Sequence, residues 1–310
     1  MSIRGTVLAR DGSTYRVMTP AGEIMAILRG RVKRDTPRVV VGDDVELDCG
    51  GEEGASVVEA GVEVACGITG VGPRRTLLER RMPHGRGAKP IAANIDEVLV
   101  VTATCDPAPI PQLLDRLLVI AEVNSLPAAV LLNKTDLNEG QETEDRFRNA
   151  GYPVFRASVK AGRGMEEIRN HLAGRTTVLT GPSGAGKSSL VNALEPGLKL
   201  RVGAISERSR RGTQTTVSAL MIPLKVGGFL VDTPGFSEVG LWGVVAREMA
   251  SCFPEMRVLI DECKYADCRH LIEPGCAVLA AVKSGTIAAD RWESYRRLLE
   301  ETEGEPKEWE

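Results

Sequence analysis

The sequence predicts a multidomain α/β protein, with an N-terminal β-barrel of the oligonucleotide-binding (OB) type, a central parallel sheet and a C-terminal helical domain. Short strands separated by Gly, Asp and Pro turns predict the barrel over residues 1–66. Apolar strands alternating with amphipathic helices predict the sheet over 91–243, and a helical pattern around clustered cysteines follows over 244–310. Between barrel and sheet, the Gly-, Pro- and Arg-rich stretch 67–90 is expected to be a basic linker.

Composition narrows the class of protein. A chain of 310 residues is too long for one compact core, and its 43% hydrophobic and 26% charged residues are typical of a soluble globular protein. A net charge of −3 gives no overall signature of a nucleic-acid binder, so any such surface must be local. The apolar runs are too short to cross a bilayer and the N-terminus has no signal core, so we expect a cytoplasmic protein with no membrane partner.

The barrel prediction depends on five segments, 3–9, 14–18, 23–28, 39–47 and 56–64. Five strands in so short a span favour a small closed barrel. The loop after the third strand is basic and contains Arg29, Arg31, Lys33, Arg34 and Arg38. A solvated loop and a phosphate-contacting loop explain this cluster equally well.

Four cysteines are far from any cluster: Cys49, Cys66, Cys105 and Cys252. In a reducing compartment these are expected to be buried thiols and not disulfide bridges.

The central domain is predicted from strands at 97–103, 128–132, 154–157 and 176–180, with helices at 112–123, 143–150 and 165–172. The strands are mainly apolar, which is typical of a parallel sheet buried on both faces. An acidic tail, 300–310, ends the chain and is expected to fray.

The last of these strands leads into a phosphate-binding loop. Its residues are Gly181, Pro182, Ser183, Gly184, Ala185, Gly186, Lys187 and Ser188, followed by Ser189 in a helix. They match G-x-x-x-x-G-K-[ST] between a strand and a helix, the context that this motif requires. Backbone N–H groups and the helix N-terminus would bind phosphates, Lys187 would reach the outer phosphates, and Ser188 would ligate magnesium. The alternative is a Gly-rich turn with no ligand.

A second phosphate-side motif is Asp232-Thr-Pro-Gly235, which follows the strand 228–231. Asp232 would belong to the magnesium shell, and the backbone at Gly235 would detect the terminal phosphate.

Two further motifs predict a preference for guanine. Asn133, Lys134, Thr135 and Asp136 follow one strand, and Ser158, Val159 and Lys160 follow the next. The carboxylate of Asp136 would accept hydrogen bonds from the ring and exocyclic N–H groups of guanine, which adenine does not offer. A backbone N–H of the second motif would bind the guanine oxygen. The alternative is that Asp136 and Ser158 are helix caps.

The order of these motifs is permuted, because the base-recognition motifs precede the phosphate loop. The same sheet results if the original chain ends are joined and the chain is opened elsewhere. The new opening falls just after Gly235, so the segment that senses the terminal phosphate leads directly into the cysteine-bearing region. We hypothesise that the nucleotide state moves the C-terminal domain through this connection.

The C-terminal cluster consists of Cys263, Cys268, His270 and Cys276. Three thiolates and one imidazole complete a tetrahedral zinc shell, and a closed shell indicates one structural ion. The alternatives are core thiols or a redox pair.

Together the barrel, the permuted motifs and the Cys-Cys-His-Cys cluster resemble the bacterial ribosome small-subunit-dependent GTPases of the RsgA (YjeQ) type. The resemblance covers nearly the whole chain. It implies a GTP hydrolase that uses GTP/GDP, Mg²⁺ and one Zn²⁺, binds the 30S subunit and its 16S rRNA late in maturation, and leaves after hydrolysis. We expect a monomer whose slow activity the ribosome stimulates.

One segment departs from the family pattern. The first switch, usually Gly-x-His-Thr-Thr, is here Gly212-Thr-Gln214-Thr215-Thr216. Gln214 cannot act as a base, but its amide can orient a water, and Thr215 or Thr216 would ligate magnesium. We therefore predict that hydrolysis survives. An exposed Gln214 without a catalytic role, a nucleotide-gated RNA-binding scaffold with incidental hydrolysis, and an ATP-dependent enzyme are the alternatives.

Overall fold

The computed structural model describes residues 2–29, 38–49, 57–59, 62–64, 66–81, 88–198, 219–233 and 244–303. The strands are β1 Ser2–Asp11, β2 Thr14–Thr19, β3 Gly22–Leu28, β4 Asp44–Asp48, β5 Val57–Glu59, β6 Val62–Val64, β7 Cys66–Val71, β8 Leu77–Arg81, β9 Ala88–Ala93, β10 Glu97–Ala103, β11 Ala128–Asn133, β12 Val154–Arg156, β13 Thr176–Thr180, β14 Leu220–Pro223 and β15 Phe229–Asp232. The α-helices are α1 Pro111–Val123, α2 Gln141–Asn149, α3 Met165–Leu172, α4 Lys187–Leu194, α5 Pro254–Arg257, α6 Ala277–Ser284 and α7 Ala289–Glu303. Short 3₁₀ turns lie at Ala246–Glu248, Ala250–Cys252 and Ile260–Glu262.

The N-terminal strands close into the predicted barrel. Strand order is β1-β2-β3-β7-β4, and β4 pairs back with β1. Only the β3–β7 pairing within this ring is parallel. Alternate side chains fill the interior, including Val7, Tyr15, Val17, Leu47 and Ile68, all of which are fully buried. Closure leaves this part of the chain without free barrel edges.

The fifth barrel strand is not the one expected. The segment 56–64 contains the separate hairpin β5–β6, and the barrel is closed by β7, which lies inside the stretch expected to be a linker. The glycines of β7 have a packing role, since a Cβ at Gly67 would lie 2.3 Å from Cδ of Arg29. At Gly67 the absence of a side chain therefore leaves room for Arg29 to lie across the strand.

The rest of the expected linker is also structured where it is described. β8 and β9 pair as an antiparallel hairpin. Two arginines just before β8 form ion pairs. Nε of Arg74 lies 2.7 Å from Oδ1 of the buried Asp43, and Nη1 of Arg75 lies 2.8 Å from Oδ1 of Asp96. The described residues of 67–90 thus lie in β7, in the β8–β9 hairpin and in the segment between them, and the domain boundaries stay predictions.

Cys49 and Cys66 form a disulfide, which corrects the expectation that both are free thiols. The register explains the pairing, because Asp48 of β4 is opposite Gly67 of β7 and the two cysteines are the next cross-strand neighbours. Their separation of 17 residues in sequence gave no sign of this adjacency. Cys252 is buried, as expected, whereas Cys105 is a thiol that is only half-buried.

The central sheet has the predicted parallel architecture. Its order is β12-β11-β10-β13-β15-β14, with β14 as the antiparallel edge strand that also touches β1 of the barrel. Alternate residues of β10 face opposite cores: Val98 and Val100 pack with α1, whereas Leu99 and Val101 pack with α3 and α4. Helices therefore cover both faces and leave the carboxyl edge of the strands open for the loops that follow them.

The C-terminal helices share a core with the central sheet. Phe253, Tyr295 and Leu298 belong to the same apolar cluster as Leu117 of α1 and Val130 of β11. Among the described residues, no helix is both long enough and apolar enough to cross a membrane.

Candidate functional site

The phosphate loop joins β13 to α4 and has the strained backbone that its glycines permit. Gly181 has φ of +138°, and a Cβ there would lie 1.9 Å from the carbonyl oxygen of Val101. Gly186, at the N-terminus of α4, has φ of +94°. The loop therefore passes close to β10 and leads directly into the N-terminus of α4, the end of a helix that favours anions.

Lys187 and Ser188 begin α4 and are both buried. The Lys187 ammonium donates hydrogen bonds to the carbonyl oxygens of Gly181 at 2.6 Å and Pro182 at 2.8 Å, so it lies across its own loop. Burial lowers the pKa of Lys187 to about 8, although the nearby Asp232 acts in the opposite direction. Because Asp232 ends β15 opposite Leu179 of β13, its carboxylate lies at the same edge of the sheet.

Asn133 connects the base-recognition segments to the phosphate loop. Its Nδ2 donates to the carbonyl oxygen of Ala185 at 2.9 Å, across 52 residues of sequence. Its Oδ1 accepts from the backbone N–H of Val159 at 3.3 Å. One buried amide side chain therefore holds together three segments that are far apart in the chain.

Asp136 is exposed above this junction and is oriented by Ser158. The Ser158 hydroxyl donates to Oδ1 of Asp136 at 2.5 Å and accepts from the N–H of Ala161 at 3.1 Å. The hydrogen bond from Ser158 is the main reason that the pKa of Asp136 lies below its usual value, with a smaller contribution from the charge of Lys160. Asp136 is thus held ionised, as an acceptor for two N–H donors.

The remaining residues of these motifs are nearby or outside the described ranges. Lys134 adopts a left-handed backbone with φ of +64°, and its ammonium donates to the carbonyl oxygen of Asp106. The Thr135 N–H donates to the carbonyl oxygen of Ala157 at 3.1 Å. Gln214, Thr215, Thr216 and Gly235 lie outside the residues that the structure describes.

A second site lies between the 3₁₀ turn at 260–262 and α6. The side chains of Cys263, Cys268, His270 and Cys276 offer ligand atoms within 4.8 Å of one another. Nδ1 of His270 lies 3.5 Å from Sγ of Cys263 and 3.4 Å from Sγ of Cys276, and the two sulfurs are 4.0 Å apart. Ligands around a tetrahedral zinc ion are separated by roughly 3.5–3.8 Å, so these residues fit such an ion.

Sequence reasoning missed the groups that hold this cluster in place. The Trp292 indole donates to the carbonyl oxygen of His270 at 2.8 Å, and the Tyr295 hydroxyl donates to that of Arg269 at 2.6 Å. The carboxylate of Glu273 accepts hydrogen bonds from backbone N–H groups of the loop. Trp292 and Tyr295 lie on α7, more than twenty residues away in sequence, so no local pattern could indicate them.

The sequence is similar to those of known proteins. The family model described as RsgA GTPase matches residues 67–242. A protein of Gemmatimonas aurantiaca named small ribosomal subunit biogenesis GTPase RsgA is 44% identical over 98% of both chains. The protein of the same name from Moorella thermoacetica is 39% identical over 96% of this chain and 97% of its own.

Solved structures of similar proteins have the same fold. The crystal structure of YjeQ from Thermotoga maritima superposes with a TM-score of 0.79 at 31% identity, covering 99% of this chain and all of the other. YloQ, described as a circularly permuted GTPase, superposes with a TM-score of 0.74 at 27% identity, over 98% and 96% of the two chains. The sheet order, the reversed motifs joined at Asn133 and these similarities lead to one conclusion: the chain belongs to the RsgA GTPase family and is a GTPase with circularly permuted motifs.

Proposed function

We propose that this GTPase acts in the maturation of the small ribosomal subunit, with one guanine nucleotide bound between the phosphate loop and the base-recognition segments. The nucleotide site is inferred mainly from the Asn133 side chain, which is hydrogen-bonded to the backbone of Ala185 in the phosphate loop and to that of Val159 in the second base-recognition motif. The printed names of the full-length relatives support the ribosomal role.

The phosphates would be bound by the loop at the start of α4. Its members are Gly181, Pro182, Ser183, Gly184, Ala185, Gly186, Lys187, Ser188 and Ser189. Backbone N–H groups would contact the inner phosphates, and the Lys187 ammonium would exchange its bonds to Gly181 and Pro182 for phosphate oxygens. Strong attraction to a polyanion would offset the loss of these two bonds.

The guanine base would be recognised by Asn133, Lys134, Thr135 and Asp136 together with Ser158, Val159 and Lys160. Asp136 would accept from the two N–H donors of guanine, since Ser158 already holds it ionised. Adenine offers no such pair of donors, so this arrangement favours GTP over ATP and argues against an ATP-dependent enzyme.

Magnesium would be held by the Ser188 hydroxyl and the Asp232 carboxylate, two buried groups that follow or end the neighbouring strands β13 and β15. When bound, this ion would neutralise charge that develops on the phosphates. Thr215 or Thr216 would add a hydroxyl ligand, the backbone at Gly235 would detect the terminal phosphate, and the Gln214 amide would orient the attacking water.

The cysteine–histidine cluster would hold one structural zinc ion. Four protein ligands leave no open position for substrate, so the ion would support the fold around α6 and α7 and take no part in hydrolysis. Metal analysis of purified protein is expected to find one zinc per chain. Simultaneous Cys263→Ser and Cys276→Ser substitutions should abolish that zinc.

On the ribosome, the barrel and the zinc-bearing domain would contact 16S rRNA of the 30S subunit, and hydrolysis would release the protein. We infer a monomer in the cytoplasm. Co-sedimentation with 30S and 70S particles tests this role: binding to 30S with a non-hydrolysable GTP analogue and release with GDP are expected. Equal recovery with both nucleotides would contradict it.

The scaffold alternative is tested by single-turnover hydrolysis. A rate that rises at least ten-fold on adding 30S particles supports a ribosome-stimulated enzyme. A rate that 30S leaves unchanged, combined with nucleotide-dependent binding, would favour a scaffold.

A further inference from the structure

Thr104 is a buried polar residue that no motif contains. It follows β10 directly, is 7% exposed, and lies beside the base-recognition segment because Ala103 of β10 is opposite Asn133 of β11. The end of β10 contains two buried threonines, Thr102 and the following Thr104, so what distinguishes Thr104 is the set of groups that its hydroxyl contacts.

Thr104 donates two hydrogen bonds to consecutive carbonyl groups of the base-recognition segment. Its backbone N–H donates to the oxygen of Asn133 at 2.9 Å, and its Oγ1 donates to the oxygen of Lys134 at 3.0 Å. The Lys134 oxygen also accepts from the N–H of Leu137 at 2.9 Å, which closes a turn over residues 134–137. One side chain therefore anchors the first residue of the turn that presents Asp136.

The anchored residue has an unfavourable backbone conformation. Lys134 has φ of +64°, a left-handed conformation that is unfavourable for a residue with a side chain. The Thr104 methyl group packs at the other end of the loop, where a Cβ on Gly140 would lie 2.5 Å from Cγ2 of Thr104. Thr104 thus contacts the loop before and after Asp136.

We propose that Thr104 is a positioning residue for guanine recognition, acting through the turn at Lys134 on the direction of the Asp136 carboxylate. This inference rests on the proposed nucleotide site. It predicts an effect on base selectivity and not simply on stability, because the turn determines where the carboxylate lies relative to the two N–H donors of guanine.

Inosine nucleotides provide the discriminating probe. Inosine triphosphate (ITP) keeps the ring N–H but lacks the exocyclic amino group, so it makes one hydrogen bond to Asp136 where GTP makes two. If the Asp136 carboxylate is displaced, the affinity for GTP falls more than the affinity for ITP, because GTP has two hydrogen bonds to lose and ITP has one. The ratio of the ITP to the GTP dissociation constant should therefore fall when Thr104 no longer anchors the turn.

The experiment compares Thr104→Val, Thr104→Ser and the control Thr102→Val by titration with GTP, ITP and ATP. Thr102 is also buried in β10, but within the described part of the chain its hydroxyl donates to the neighbouring Ala103 carbonyl, at 3.3 Å, and not to the base-recognition segment. For Thr104→Val we expect GTP to bind about five-fold more weakly and the ITP/GTP ratio to fall about two- to three-fold. Thr104→Ser and Thr102→Val should keep the wild-type ratio.

The outcomes separate the inference from the function on which it rests. Weaker binding of GTP and ITP by equal factors in Thr104→Val, or the same loss of selectivity in Thr102→Val or Thr104→Ser, would overturn the role of Thr104. Tighter binding of ATP than GTP by the wild type would overturn the proposed function instead. If Thr104→Val does not fold, Thr104→Ser decides, since loss of selectivity with the hydroxyl retained contradicts the proposal.

Discussion

At the scale of single residues, Asn133 explains how motifs in reversed order can form one site. Its amide offers a donor and an acceptor in a fixed geometry, and the structure uses both, toward Ala185 and Val159. The sequence predicted that these segments converge, because each follows a strand of one parallel sheet. It could not predict that a side chain already links them, since that depends on the close approach of Gly186, where a Cβ would lie 2.2 Å from Nδ2 of Asn133.

Replacing Asn133 by Ala should weaken nucleotide binding strongly. Two hydrogen bonds are lost and the Ala185 carbonyl is left without this donor, so GTP and GDP are expected to bind roughly ten- to a hundred-fold more weakly. Calorimetric titration measures this. Asn149→Ala, at the exposed end of α2, is the matched control and should bind as the wild type does. Similar affinities for both variants would show that Asn133 does not organise the site.

Lys187 predicts a pH dependence of binding. Burial lowers its pKa to about 8 in the free protein, so the ammonium loses its charge as the pH rises through that value. Phosphates favour the charged form, and binding above pH 8 therefore requires proton uptake. The dissociation constant of GDP is expected to be flat below about pH 7.5 and to rise above pH 8. Guanosine has the base without phosphates, so the pH dependence of its binding corrects for ionisation of guanine. If the dissociation constants of GDP and guanosine change with pH in parallel, Lys187 is not the group responsible.

At the scale of elements, the sequence predicted the strands that are mainly apolar and missed the glycine-rich strand β7. β10 and β11 are buried along their whole length, and that pattern is visible in sequence. β7 was taken for a linker because glycine and arginine dominate around it, although Gly67 lies directly against the Arg29 side chain in the barrel. The Cys49–Cys66 bridge was missed for a related reason, since it depends on the register of β4 with β7.

The disulfide should stabilise the barrel. Closing a loop of 17 residues restricts the unfolded chain by about 3 kcal/mol in the loop-entropy description. Urea unfolding of the wild type with and without a reductant is expected to differ by about this free energy, and the Cys49→Ser variant should not respond to the reductant. Cys105→Ser, which removes a free thiol, should behave as the wild type. A reductant effect that persists in Cys49→Ser would contradict the prediction.

At the scale of the whole molecule, the C-terminal helices are joined to the GTPase domain by a buried ionic network. Arg291 of α7 is 2% exposed and bonds to Asp115 of α1 at 2.5 Å and to Glu255 of α5 at 2.6 Å. Arg146 of α2, the helix after the base-recognition segment, donates to the same Asp115 at 2.5 Å. The hypothesis that the nucleotide state acts through the connection after Gly235 concerns residues outside the described ranges. The ionic network is a second physical link between the GTPase domain and the C-terminal helices.

Removing Arg291 should destabilise the protein and loosen this link. Arg291→Met leaves the buried Asp115 with less compensation, and we expect a loss of about 3–5 kcal/mol in the free energy of unfolding. The control Arg297→Met breaks an exposed pair with Glu293 on the same helix and should cost under about 1 kcal/mol. Equal, small changes in both variants, measured by urea unfolding, would show that the network does not hold the domains together.

The central claim is that one guanine nucleotide spans Lys187 and Asp136, and a specificity change at Asp136 tests it most directly. Asn in place of Asp136 presents an N–H donor where guanine also has one, but xanthine has a carbonyl oxygen there. Calorimetric titration of the wild type should show one GDP per chain and no measurable ADP binding, and Asp136→Asn should prefer xanthosine diphosphate over GDP. A wild type that binds ADP as tightly as GDP, or an Asp136→Asn variant that still prefers GDP, would contradict the account.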